Sequence, residues 1–115
     1  MPMPYTVEVS SWFAKEAKRL NKKYPSFAQD LKSFRDSIVE NPLQGVEIAP
    51  KIRKIRMQIK SKGRGKSGGA RVITYTVLAR ENEEGRLILL LIYDKENAST
   101  IRPEVLNDIL NEFDL

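Results

Sequence analysis

Lys54 and Arg56 stand two residues apart in "IRKIRM" (Ile52–Met57), and Arg71 follows a glycine-rich stretch, "KSKGRGKSGGARV" (60–72), that also carries Lys60, Lys62, Arg64 and Lys66. Residues of these types hold phosphate. Guanidinium groups stay protonated and offer paired donors that match phosphate oxygens, and lysines add mobile point charges. Lys51 and Arg53 extend the series: Ile48 to Arg80 contains ten Lys or Arg and no Asp or Glu. The other 82 residues carry ten basic and 15 acidic side chains, so the formal net charge of +5 is a local property. That asymmetry is the sequence footprint of a polyanion-binding surface. The chain has no histidine and no cysteine. The usual general base near neutral pH is therefore missing, and so are disulfides and thiolate zinc sites. No metal or other cofactor is expected.

Gly65-Lys66-Ser67 has the order found at the end of a nucleotide-binding P-loop. The pattern also needs a glycine five residues before Gly65, and that position is Lys60. A P-loop leads into a helix, whereas "RVITYTV" (71–77) is rich in β-branched and aromatic residues and predicts a strand. The reading is therefore a flexible connection between two strands. Its glycines let a phosphate chain approach the backbone, and Lys62, Arg64 and Lys66 make non-specific contacts with it.

The elements that must position these residues follow from periodicity. "YTVEV" (5–9) alternates as a strand. Ser10 or Ser11 caps a helix with Phe13, Ala17, Leu20 and Tyr24 on one face, and Trp12 is placed in the core with them. Pro25 ends that helix. Ser26 and Gln29 form a capping box for a second, with Phe27, Leu31, Phe34 and Ile38 as its apolar stripe. From Ile52 the period becomes two: Ile55, Met57 and Ile59 point one way, and Lys54, Arg56, Gln58 and Lys60 the other. "ARVITYTVL" (70–78) is the next strand, "ENEEG" a hairpin connection, and "RLILLLIY" (86–93) a central strand covered on both faces. A last helix, capped by Ser99 or Thr100 with Pro103 in its first turn, carries Ile101, Val105, Ile109 and Phe113 on one face. The order β-α-α-β-β-β-α predicts a single α+β domain over residues 1–115, with a curled, mostly antiparallel sheet and helices packed on one face. No apolar run approaches a membrane span, and "MPMPYTVEVSSWF" lacks the basic-then-apolar order of a secretory signal.

Taken together, "IRKIRM", "GRGKSGGARVITY" (63–75) and an apolar strand ending "IYDK" (92–95), after an opening such as "FAKEAKRLNKKYPS", resemble the RelE/HigB-type toxins of bacterial type II toxin–antitoxin modules, within the RelE/ParE superfamily. The resemblance covers most of the chain. It implies a RelE-like fold and a small cytoplasmic, metal-independent ribonuclease that cuts mRNA on the ribosome. It also implies a cognate antitoxin that covers the active surface, with the toxin alone a monomer and the pair a hetero-oligomer away from membranes.

Such cleavage begins when the 2′-OH attacks the adjacent phosphate. It needs a base for the 2′-OH, charge stabilisation on the phosphoryl oxygens, and help for the departing 5′-oxygen. Lys54 is the expected base, since neighbouring cations disfavour its charged form. Arg56 and Arg71 are the expected stabilisers. By resemblance, Arg71 matches the family's strand arginine, and Lys54 and Arg56 match its basic pair. Many relatives place a histidine, arginine or tyrosine after the last strand. Here Lys95 is the only cation in "YDKENAS", with Tyr93 and Asp94 as possible helpers. Lys51, Arg53, Lys60, Lys62, Arg64, Lys66 and Tyr75 complete the expected RNA-binding set, Tyr75 as a stacking surface or as packing. Two other activities fit the same fold: gyrase inhibition of the ParE kind, and non-catalytic RNA or ribosome binding. The segment 81–115, net −6, offers an antitoxin a second docking surface.

Overall fold

The computed structural model describes residues 4–96 and 102–115. Strand β1 (Tyr5–Val9) leads through Ser10 into helix α1 (Ser11–Lys23). Ser10 Oγ accepts from the Phe13 amide at 2.9 Å and donates to the Leu90 carbonyl, so one hydroxyl caps the helix and ties it to the sheet. Helix α2 (Phe27–Glu40) follows Pro25. The expected capping box is absent: Ser26 spends its hydroxyl on Asp30 Oδ2 at 2.6 Å and accepts from the Ser61 amide, which fastens the start of α2 to the glycine-rich segment.

Four further strands complete the sheet: β2 (Val46–Ala49), β3 (Ile52–Met57), β4 (Ala70–Val77) and β5 (Gly85–Asp94). Their order is β1-β5-β4-β3-β2, with β1 parallel to β5 and the other pairs antiparallel. Strand β2 is not expected from the sequence. Its four residues lie between Pro42 and Pro50 and none is buried, Val46 being 66% exposed, so no alternation signals it. It pairs with β3 only as far as Lys54, and the outer edge of β3 beyond that point has no strand neighbour. Gly45, at φ 76°, makes the entry to β2 possible: a Cβ there would lie 2.2 Å from the Lys54 carbonyl oxygen.

Two hydrophobic layers sandwich the sheet. On one side Phe13, Leu20, Phe27, Phe34 and Ile38 of α1 and α2 meet Ile55, Met57, Val72, Leu87, Leu89 and Ile92. On the other, Ile109 of helix α3 (Pro103–Asn111) joins Ile52, Ile73, Ile88, Leu90 and Tyr93, with Val105 and Phe113 against them. The helices therefore occupy both faces of the sheet, not one as expected. The cause is β5, which is apolar along both faces and would leave Ile88 and Leu90 in water without α3. A bulge opposite Ile73/Thr74 places Leu90 and Leu91 together on the α3 side.

Trp12 is a second correction. It is 46% exposed, because the adjacent Phe13 takes the inward position of α1 and successive helical residues point about 100° apart. The expected caps Ser99 and Thr100, and Ile101, lie outside the described residues. Pro103 opens α3 as expected. No helix among the described residues is long and apolar enough to cross a membrane.

Candidate nucleic-acid interface

The connection from β3 to β4 runs through a 3₁₀ turn at Lys60–Lys62 and enters a strand, so Gly65-Lys66-Ser67 faces no helix N-terminus. Antiparallel pairing puts Arg56 directly opposite Arg71 and, on the next strand, Arg71 opposite Tyr93. Lys54 lies two residues along β3 on the same face, opposite Ile73. This is the face turned away from α1 and α2, as the alternation with Ile55 and Met57 requires. Like charges directly opposite across a ladder are unfavourable. Two arginines and a lysine in one corner of a sheet mark a place held ready for negative charge.

Lys54, Arg56 and Lys66 line one shallow cleft of about 340 Å³, together with Gln44, Gly45 and Val46. The early end of β2 opens it. Arg56 is exposed, and neither Arg56 nor Lys54 has a hydrogen bond or ion pair from its side chain to the described residues. Lys60 and Lys66 join Arg56 at the mouth of a neighbouring cleft, between β3 and α2.

Arg71 behaves differently. It is 8% exposed, and its guanidinium donates to the carbonyls of Lys66, Ser67 and Ala70 at 3.3, 2.9 and 3.1 Å. Two of these bonds hold the glycine-rich loop and the third the first residue of β4, and the side chain contributes its charge to the corner from beneath it. In an Arg71→Ala chain the loop is expected to open more often. Tryptic cleavage after Arg64 or Lys66 should then accelerate about tenfold, the effect of losing a charged hydrogen-bond anchor. An unchanged digestion rate would show that the loop is held by other contacts.

Several residues expected to bind RNA are committed elsewhere. The Lys62 side chain is 4% exposed and pairs with Asp94 at 2.7 Å, so it is a buried structural cation. Arg64 pairs with Glu96 at 3.1 Å on the surface. Arg53 projects to the α1/α2 side, where Nε donates to the Gln44 carbonyl and a terminal nitrogen to that of Gly45, anchoring the approach to β2. Lys51 sits at φ 66° in the β2–β3 turn and lines a separate 440 Å³ cleft with Arg53 and Arg80. Tyr75 is half-buried and packs against the α3-side core. Lys95 is exposed just after β5, and its amide donates to the Gly69 carbonyl at 3.2 Å, so it lies where the loop returns to the sheet.

Asp94 projects to the α1/α2 side of the sheet, away from Arg56. The Tyr24 hydroxyl donates to its Oδ2, Lys62 to its Oδ1, and Lys23 stands at 3.9 Å. Burial alone would push the Asp94 carboxyl up. The hydrogen bonds from Lys62, Tyr24 and the Glu96 amide outweigh it and hold the carboxyl below its usual range. Donation to Asp94 in turn pushes the Tyr24 hydroxyl up. Asp94 therefore fastens the loop to α1, on the face opposite the arginine corner. The sequence signal was an acid at the end of a buried strand, which needs a partner; that the partners would be Tyr24 and Lys62 was not readable.

No protein-family model matches the chain, and no curated protein matches it.

Proposed function

We propose that this chain is an endoribonuclease that cuts mRNA on the ribosome without a metal, as the RelE/HigB-type toxins it resembles do, and that a cognate antitoxin neutralises it. The observation that carries the proposal is the cationic corner: Arg56 facing Arg71 across β3 and β4, with Lys54 on the same face and Lys66 beside them.

A scissile phosphate seated over Arg56 receives paired guanidinium donors where charge develops as the 2′-OH adds. Arg71 adds positive potential from below and keeps the loop, with Lys66, against the corner. Lys54 borders the same cleft and takes the proton of the attacking 2′-OH. Lys95, at the end of β5, supplies the proton to the departing 5′-oxygen. The strand passes through a groove whose walls carry no acidic side chain: none of the seven residues lining the 340 Å³ cleft is Asp or Glu.

The test is a translating extract given purified protein and a labelled messenger. Discrete 3′ fragments, with a 2′,3′-cyclic phosphate at the end of the matching upstream fragments as 2′-OH attack requires, are the expected products. Intact messenger, or supercoiling by gyrase inhibited at stoichiometric protein with no RNA cut, would overturn the proposal in favour of a binding or gyrase-directed role.

A further inference from the structure

Beside the cationic corner lies a second cleft of about 150 Å³, sunk between α2 and the open edge of β3. Phe34 and Met57 supply its apolar surface, and Asp30, Ser33, Ser37, Gln44 and Gln58 its uncharged or acidic polar groups. Arg56, Lys60 and Lys66 stand around it, and Arg56 and Lys66 also border the Lys54 cleft. A phosphate held by Arg56 and Lys66 therefore sits at the junction of the two clefts, and the nucleoside attached to it reaches this one.

We propose that this second cleft receives a cytosine base of the RNA, adjacent to the phosphate at Arg56; the inference rests on the ribonuclease reading. Size is the first argument. A cavity of about 150 Å³ takes a single six-membered ring. Polarity is the second. Gln44 Nε2 is spent on the Ser37 carbonyl at 2.9 Å and the Ser37 hydroxyl at 2.7 Å, which leaves its Oε1 as an acceptor. Asp30 Oδ2 takes the Ser26 hydroxyl and the Lys60 amide at 2.9 Å, and Oδ1 has no hydrogen-bond partner among the described residues. Beside the Ser33 hydroxyl and the Gln58 amide, which can donate or accept, the acceptors fixed in the lining are those of Asp30 and Gln44, one of them a carboxylate. Those groups repel phosphate oxygens and keep phosphate at the mouth with the cations. They attract an exocyclic amino group. Cytosine offers that donor at N4, where uracil has the O4 acceptor, and a carboxylate accepting from cytosine N4 is an established base contact.

The experiment pairs two readouts on the wild-type chain. CMP and UMP are titrated while the backbone amide resonances of Ser33, Ser37 and Gln44 are followed by NMR. Separately, messengers differing by one C-to-U change are tested for cleavage. Expected are shifts at those three amides, CMP bound about fivefold to a hundredfold more tightly than UMP, and a cleavage bias of the same sense, the range a good base-edge contact supplies. Equal affinities, or shifts confined to other residues, would overturn the cytosine site even if RNA is cut. CMP-selective shifts at these residues with no RNA cleavage would uphold the site and overturn the ribonuclease reading.

Discussion

An Arg56→Ala chain is expected to cleave mRNA about 100- to 1,000-fold more slowly than wild type, the cost of removing one principal donor to a developing oxyanion. Its folding stability should stay within about 0.5 kcal/mol of wild type. Both halves follow from one set of observations. Arg56 is exposed and its side chain bonds to none of the described residues, so the fold loses no hydrogen bond or ion pair among them when it is removed. It also faces Arg71 directly across the ladder, and relieving that like-charge pair offsets whatever packing the arginine stem provides. Arg56→Lys should recover only part of the rate, because a lysine keeps the charge and loses the planar fork. Single-turnover cleavage on programmed ribosomes, with thermal melts of the same preparations, gives both numbers. A fully active Arg56→Ala chain would remove the central residue of the proposed site. Arg71→Ala is the less decisive variant, since it also frees the loop carbonyls of Lys66 and Ser67.

Arg56 was legible in the sequence because period-two alternation separates it from Ile55 and Met57, and the structure keeps that separation. The strands β3, β4 and β5 and the apolar faces of α1 and α2 were readable on the same ground. The functions of the loop cations were not. Lys62, Arg64 and Lys66 are alternate residues of one flexible run, alike in type and local context. Which is buried, which is paired and which faces the cleft depends on where Asp94 and Glu96 arrive from the far end of β5, more than 25 residues away. Arg53 stands three residues from Arg56, so alternation already puts the two on opposite faces, but the strand β2, which no alternation signals, decides what Arg53 can reach. The placement of α3 was implicit in the doubly apolar β5, whose two faces each need cover. A one-sided helical layer was inconsistent with that strand from the outset.

The largest effect on stability is expected from Asp94→Asn, about 3–5 kcal/mol. Asp94 and Lys62 are 1% and 4% exposed at their side chains and lie 2.7 Å apart. Removing the charge of one leaves the other buried without compensation, the costly case for an internal ion pair. The double replacement Asp94→Leu with Lys62→Met should recover much of that loss, because neither side chain then brings a charge into the interior. The pH dependence separates this account from simple packing. The Asp94 carboxyl is held below its ordinary value, so its contribution is complete above about pH 4, the unfolded value, and disappears as pH falls through the lower folded one. Tyr24 is displaced upward, so its contribution is complete below about pH 10 and is lost as pH rises through its folded value. Wild type should therefore lose stability on acidification below about pH 4, and Asp94→Asn should show a shallower loss over that range, measured by urea unfolding at each pH. Equal acid slopes would show that other carboxylates, such as Glu8 paired with Arg86, carry the effect. The same variant bears on activity through position alone. Lys62 and the Gly69 carbonyl tie the loop at one end as Arg71 ties its middle, and Lys66 lies between them. Loosening the Asp94 end should weaken RNA binding at Lys66 while Lys54 and Arg56, fixed on β3, keep their places. KM should then rise more than kcat falls, opposite to the pattern expected for Arg56→Ala.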